Sequence, residues 1–558
     1  MHRAGYEVRC VVRLVLLGAV MGHSAAARAD ASIQLHDVTA ETGITFRHTD
    51  GGGGQRYIVE YVSAGLATFD YNGDGLLDIY FLNGAPLRGT KADSPPRDAL
   101  WRNDGGFRFT DVTDEAGVGD LEHGLGVTAA DFDNDGDEDL YVNNFGANAL
   151  YRNNGDGTFT DIAGQAGVQV SNVGAATCFL DIEGDGDLDL FAGNYVKFAY
   201  ETHVPQMLRG VPVYPSPLQY EADPDQLYRN NGDGTFADLT EKSGLGRHLG
   251  RCMGGVSADF DSDGDTDIFV GNDVMANYLF QNDGQGQFDE VGVISGFAYD
   301  FAGIPQGSMG VECGDYDNDG RLDFYVTSYQ REMATLYHNL GDGFFEDVSR
   351  VTGAASGTLN QVTWGSGMID FDNDGDRDLY VACGYFDDRP EQPNDPAAYY
   401  AQNILLMNTG GRFVDVSQDA GDGMGVKFSS RGAAFDDFDN DGDVDVVVLN
   451  SRSGPTVLRN DSPGGKHWIE IQLRGVAANR DGVGSQVKVF AGDLVQLAEV
   501  HSGRSYQSHF GSRLHFGLGP HARIDRIEVR WLGGGVQAVE DVAADQLLVI
   551  TETPADLP

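Results

Sequence analysis

Residues 131–142 read DFDNDGDEDLYV. Six of the first nine side chains are acidic, and the stretch runs directly into a hydrophobic strand. Oxygens at positions 1, 3 and 5 of a tight loop converge on one point. Glycine at position 6 permits the sharp turn, position 7 can offer its carbonyl, and aspartate at position 9 closes the shell. Such a loop suits a hard cation of calcium size. It is not an EF-hand, which needs a bidentate glutamate at position 12, where this stretch has Val142.

The pattern recurs seven times, which makes its spacing specific. The candidate ligands are Asp70, Asn72, Asp74 and Asp78 in the first loop, then Asp131, Asp133, Asp135 and Asp139. The third loop offers Asp181, Glu183, Asp185 and Asp189, and the fourth Asp259, Asp261, Asp263 and Asp267. Asp315, Asp317, Asp319 and Asp323 follow, then Asp370, Asp372, Asp374 and Asp378, and last Asp437, Asp439, Asp441 and Asp445. Up to seven Ca²⁺ are expected. Asn72 and the longer Glu183 mark two weaker loops. The alternative is a set of polar hairpin turns without metal.

Each loop is flanked by apolar runs, such as GVTAA before and DLYVNN after, so it joins two strands. A third strand starts at L-x-x-N (Leu100, Leu150, Leu227, Leu279, Leu336 and Leu405, with Val457 as a variant). A fourth starts at Phe109, Phe159, Phe236, Phe288, Phe345 and Phe413. The last unit lacks this element, but LHDVT at Leu35 precedes the first loop. A closed ring explains the displacement. The expected fold is all-β: a seven-bladed β-propeller whose N-terminal strand closes the last blade. Residues 463–558 alternate as HWIEIQL, QVKVF, RLHFGLG, DRIEVRW and QLLVI, and read as a small antiparallel β-sandwich.

Composition agrees. The 558 residues exceed one ordinary core, and 77 glycines imply many turns. A net charge of -49 repels nucleic acid and anionic membranes, leaving cations as natural partners. Residues 1–29 read as an export signal: a basic start, an apolar run too short to span a bilayer, and Ala27-Arg28-Ala29 as cleavage site. The expected location is periplasmic or extracellular. The domains are then 1–29 signal, 30–462 propeller and 463–558 sandwich. Cys178, Cys252, Cys313 and Cys383 permit two disulfides of undetermined pairing.

HTDGGGGQRYIVEYVSAGLATFDYNGDGLLDIYFLNG from His48, FSSRGAAFDDFDNDGDVDVVVLN, NRDGVGSQVKVF from Asn479 and SRLHFGLG from Ser512 carry a resemblance. The chain resembles the FG-GAP/VCBS-type propeller proteins that include the integrin α-subunit head. It more closely resembles the cartilage acidic protein group with its C-terminal ASPIC/UnbV domain. The resemblance covers nearly all of the mature chain and implies calcium binding and an extracellular life, but no single reaction. Two departures stand out. Trp531-Leu532-Gly533-Gly534 replaces the group's W-P-x-G, and the third-blade insert lacks a Cys pair.

Insertions mark the face opposite the loops. Asp70 to Leu100 is 30 residues, Asp181 to Leu227 is 46 and Asp370 to Leu405 is 35, against about 20 elsewhere. The longest carries Tyr200, His203, Met207, Arg209, Tyr214 and Tyr220; the sixth-blade insert carries Tyr385, Arg389 and Tyr399. Aromatic and polar side chains together suit flat or sugar-like ligands, or else the loop packs on its own aromatics. Glu60, His123, Arg251, Gln306, Trp364 and Arg431 precede first strands and should face the channel mouth. Of these, His123, Arg431 and Glu60 are the catalytic candidates, with a hydrogen-bonded channel lining as the alternative. No nucleophile elbow, P-loop, H-E-x-x-H or dinucleotide fingerprint is present. The sequence therefore favours a secreted calcium-binding recognition or scaffold protein whose partner is an extracellular protein or glycan. The rival is a calcium-stabilised enzyme of lyase or cyclase type.

Overall fold

The computed structural model describes residues 33–63, 65–92, 95–208, 210–388 and 398–553. The export segment, Arg209 and Arg389 lie outside this set. The chain is all-β, and no described helix exceeds four residues. None is long and apolar enough to cross a membrane.

Seven antiparallel sheets each contain a run of four strands in consecutive pairing, with one extra short strand on the fourth. The second, for example, runs His123–Ala130, Asp139–Phe145, Ala149–Asn153 and Phe159–Asp161. The acidic stretch 131–139 is the hairpin between its first two strands. In the seventh sheet the fourth strand is Leu35–Asp37, which pairs Leu35 with Asn460 and Asp37 with Leu458. The displaced LHDVT element thus lies where the closed-ring argument put it.

The first strand of each sheet lies against the first strand of the next, and that of the seventh against that of the first. Apolar side chains fill the spaces between neighbours: Ala67, Phe69 and Tyr80 of the first sheet meet Val127, Leu140 and Val142 of the second. The L-x-x-N asparagine adds a cross-link. The amide of Asn153 donates to Glu138 O of its own loop and to Tyr71 O of the preceding loop, at 3.2 and 2.8 Å. Asn230, Asn282, Asn339, Asn408 and Asn460 repeat this in turn. Asn103 donates to Phe438 O of the seventh loop at 2.8 Å, so the series returns to its start. Asn153→Ala leaves both carbonyls unpaired and should cost about 1–3 kcal/mol, while exposed Asn154→Ala should stay within about 0.5 kcal/mol. Urea unfolding in calcium measures both.

After Asn460 the chain builds two further sheets. One orders Leu514–Gly519, His467–Arg474 and Leu547–Thr551; the other orders Leu494–Glu499, Gln486–Ala491, Arg523–Arg530 and Val536–Ala543. Two expectations are corrected here. There are seven strands rather than five, because Leu494–Glu499 and the largely exposed Val536–Ala543 lack clear alternation. The pairing is also not purely antiparallel. Leu547–Thr551 crosses from the other sheet and runs parallel to His467–Arg474.

Among the described residues the cysteines form no disulfide. Cys178, Cys252, Cys313 and Cys383 are free and buried, each in a different sheet. Burial pushes the Cys178 thiol up to about 12.

One segment has no counterpart in the sequence expectations. Residues 500–513, between Leu494–Glu499 and Leu514–Gly519, leave their own sheets and enter the ring. His509 exchanges backbone hydrogen bonds with Leu66 and Thr68 of the first sheet, each at 3.0 Å. Ser502 bonds Thr128 of the second at 2.7 Å and bridges Phe179 of the third. His501 Nδ1 lies 2.9 Å from Ser257 O of the fourth. Ser505 pairs with Val311 of the fifth, and its hydroxyl accepts Ser366 N–H of the sixth at 2.7 Å. Gly511 N–H donates to Asp436 of the seventh at 3.1 Å. The plug therefore touches all seven first strands. Gly503 is required within it: its φ is +86°, and a Cβ would fall 2.0 Å from Thr177 O.

Candidate functional site

The acidic loops share a pre-formed backbone. In six of the seven, the position-1 carboxylate accepts the N–H groups of positions 5 and 6, as Asp131 does from Asp135 and Gly136 at 3.0 and 2.7 Å. The position-9 aspartate is a structural hub. Asp139 accepts Phe132 N–H at 3.1 Å and Asn153 N–H at 2.7 Å, and each of the other six loops repeats this pair.

The donor set fits a calcium-like ion. One oxygen from each of Asp131, Asp133 and Asp139 lies within 4.8 Å of the others, and similar triads form at 259–263, 315–319 and 370–374. Oδ1 of Asp133, Asp317 and Asp439, all at position 3, is buried without a hydrogen-bond partner. Buried orphan acceptors facing other carboxylates are what a hard cation would satisfy. Burial, followed by neighbouring carboxylates, pushes Asp131, Asp315 and Asp437 up to about 7 and Asp370 to about 8.

The loops are not equivalent. In the first, Asn72 donates to Asp74 and accepts from its N–H, both at 3.0 Å. Glu183 in the third lies 3.7 Å from Arg229. The C-terminal sheets dock on this loop face. Asp481 accepts Asp131 N–H at 2.7 Å, Arg530 pairs with Asp259, and Lys466 lies 2.9 Å from Asp372. The Trp531–Gly534 turn bears on the third loop, where a Cβ on Gly533 would sit 2.2 Å from Gly184 O.

The opposite strand ends carry the insertions. Their aromatics interlock across blades: Tyr200 and His203 lie 5.0 and 4.7 Å from Tyr57, and Tyr214 lies 5.2 Å from Tyr61. Tyr220 meets Phe198 edge-on, as Tyr399 does Tyr400, and Tyr385 packs tilted on Phe386. Met207 projects into solvent.

The mouth candidates separate. Glu60 lines an open cleft of about 430 Å³ together with His48, Asp50, Arg56, Tyr214 and Arg452. It accepts Tyr57 N–H at 2.9 Å and the Tyr214 hydroxyl at 3.1 Å, and burial pushes its carboxyl up. Arg452 pairs with Asp50 and, at 2.7 Å, with Asp388. His123 and Arg431 are not among its lining residues, although both, after burial, help hold the cleft's His48 imidazole down to about 3. His123 is buried beside Ala85 O at 3.3 Å. Arg431 is buried over the Trp364 ring, 4.0 Å from its centroid, and donates to Ser429 and Ser430. Trp364 in turn abuts Tyr506 of the plug at 5.0 Å. Gln306 and Arg251 bond to neighbouring backbone and side chains. Sequence reasoning missed His48, Asp50, Arg56 and Arg452. The only available signal was charge clustered beside the Gly51–Gly54 run.

Comparison with known proteins gives two family matches. A model described as FG-GAP-like repeat matches residues 70–142, 131–192, 218–270, 259–326, 315–381 and 370–448. A model described as ASPIC and UnbV matches residues 475–557. Cartilage acidic protein 1 of Xenopus tropicalis is 30% identical over 174 residues, covering 29% of this chain and 26% of that protein. Its Homo sapiens counterpart is 23% identical over 341 residues, covering 60% of this chain and 48% of that protein. The chain thus spans about half or less of the curated relatives it matches. Among solved structures, an Agrocybe aegerita lectin recognising non-reducing terminal N-acetylglucosamine aligns over 63% of this chain and 79% of its own, at 18% identity and a TM-score of 0.38.

Proposed function

The chain belongs to the FG-GAP-like repeat family, with a C-terminal ASPIC and UnbV domain, and on that footing we propose that it is an exported, calcium-binding recognition protein. Residues 30–462 form a seven-bladed propeller and residues 463–558 its C-terminal sandwich. Calcium is held by the aspartates at positions 1, 3, 5 and 9 of the loops, with Asn72 and Glu183 in their places. When bound, it neutralises the converging carboxylates and fixes the hairpins between first and second strands. Residues 1–29 direct the chain to the periplasm or the medium.

One observation carries the choice of binding face. The C-terminal sheets sit on the loop face and the plug fills the axis, so the insert-bearing face offers the open concave surface. An extracellular protein or glycan is the expected partner. The test is capture from an envelope and culture extract by the mature chain, with Tyr214→Ala as the face variant. The expected result is a partner retained in calcium, released by chelator and lost by the variant. A partner captured equally by wild type and variant refutes this face.

A second reading has one observation in its favour. A Cβ on Gly52 would lie 2.6 Å from Glu60 Oε2 and 3.2 Å from Asp50 Oδ1, so two buried carboxyls flank one point of the cleft. Arg452 donates to Asp50, while burial pushes the Glu60 carboxyl up. This pair suits acid–base work of lyase or cyclase type. A compound consumed by wild type and spared by Glu60→Gln would establish it.

A further inference from the structure

The insert-bearing face holds a second cavity of about 280 Å³, which shares Tyr214 with the polar cleft. Its wall is aromatic: Tyr61, Tyr214, Tyr329, Trp364 and Phe386. Asp273 supplies the single carboxylate of the lining, which includes no lysine, arginine or histidine.

Asp273 is placed there by a local irregularity. It lies near the end of the strand Asp267–Met275, which pairs with Gln306–Gly307 through a register shift between Asp273 and Met275. Val274 at that shift has φ +53°, a left-handed conformation that is rare and strained for a β-branched residue. Consecutive residues of a regular strand point to opposite faces, yet Asp273 and Val274 both line the cavity. The bulge therefore adds a carboxylate to an otherwise uncharged, largely aromatic chamber.

That carboxylate is buried, accepts the Tyr195 hydroxyl at 2.6 Å, and forms no salt bridge among the described residues. Arg251 and Glu332 stand nearby with opposing effects on it. A buried carboxylate without a salt-bridge partner is stabilised by a cation placed against it. Aromatic faces attract cations as well, most strongly where the contact is desolvated. Trp364 already carries Arg431 and Tyr214 carries Arg56, so Tyr61, Tyr329 and Phe386 are the remaining surfaces. A bare metal ion is poorly served, because it needs six or more oxygens. An anion would meet no basic group.

We propose that this cavity binds a small organic cation, with an ammonium group seated on the tyrosine faces against Asp273. The inference rests on the insert-bearing face being the recognition face. It names the chemistry that face selects: a cationic small molecule, or a cationic group displayed on a larger partner.

The test compares choline with its uncharged isostere 3,3-dimethylbutan-1-ol, by calorimetry on the calcium-loaded mature chain. Choline is expected to bind at least about tenfold more tightly than the isostere. Asp273→Asn, which keeps an acceptor for Tyr195, is expected to weaken choline by about tenfold or more and leave the isostere unchanged. Equal binding of the two by the unaltered chain overturns the proposal, and so does binding of neither choline nor tetramethylammonium at millimolar concentration. If neither binds while Tyr214→Ala still abolishes partner capture, the recognition face stands and only the cation chemistry falls. If choline binds as expected but capture ignores Tyr214→Ala, the cavity stands and the face assignment falls.

Discussion

Adding a chelator to the calcium-loaded chain is expected to lower its melting temperature by roughly 10 °C or more. Each loop occupied at a tenfold excess over its dissociation constant adds about 1.4 kcal/mol, and at a hundredfold excess about 2.7. Seven such contributions are on the order of a whole domain's stability of about 5–15 kcal/mol. The buried position-3 oxygens of Asp133, Asp317 and Asp439, which have no other partner, give the expectation its physical cause. Asp133→Ala sharpens it. The substitution should lower the melting temperature in calcium, yet leave it level or raised in chelator, where the orphan carboxylate is only a burden. A melting temperature indifferent to chelator would sink the claim.

Arg504→Met should be the most damaging single change outside the loops. Arg504 reaches from the plug to Glu312 of the fifth sheet. Its side chain is 8% exposed and that of Glu312 is 0% exposed. It also donates to Cys313 O at 2.8 Å and lies over Phe510. Removing one partner of a buried pair leaves a charge without compensation, at a cost of about 3–5 kcal/mol. Burial already pushes the Glu312 carboxyl up against the pull of Arg504. Without Arg504 it rises further. A carboxyl raised above its unfolded value costs stability as pH climbs through the folded value, so the deficit should be larger at pH 8 than at pH 5. The double variant Arg504→Met with Glu312→Gln should recover most of the loss. Chemical unfolding at both pH values, in calcium, decides the matter. A double variant no better than the single one would show that the arginine acts through shape alone.

The repeat was legible because its information is local. Ligand spacing fixes the loop, the loop fixes the hairpin, and a missing fourth strand after Val457 pointed to Leu35. The asparagine of L-x-x-N marked a strand start, but its cross-link to the preceding loop joins positions as distant as Asn103 and Phe438. Spacing within one unit does not encode such a contact. His123 and Arg431 lie within the first strands rather than before them, and their burial was not written in their identity. The plug was illegible for a different reason. HSGRSYQSHFG has neither helical nor strand periodicity and reads as an exposed turn. Its hydrogen bonds come from seven separate strands rather than from a neighbour in sequence.

The closing strand sets an order of events. Leu35–Asp37 is synthesised more than four hundred positions before its partner Thr456–Asn460. The plug emerges later still. Until then the first and seventh sheets have no neighbour on one side, and the inner strands face an empty axis. Contacts this remote in sequence form slowly and leave sticky edges uncovered in the meantime. A chain cut short anywhere before the plug would lack its hub, and its exposed interior would distinguish it from the finished molecule for any protease it meets.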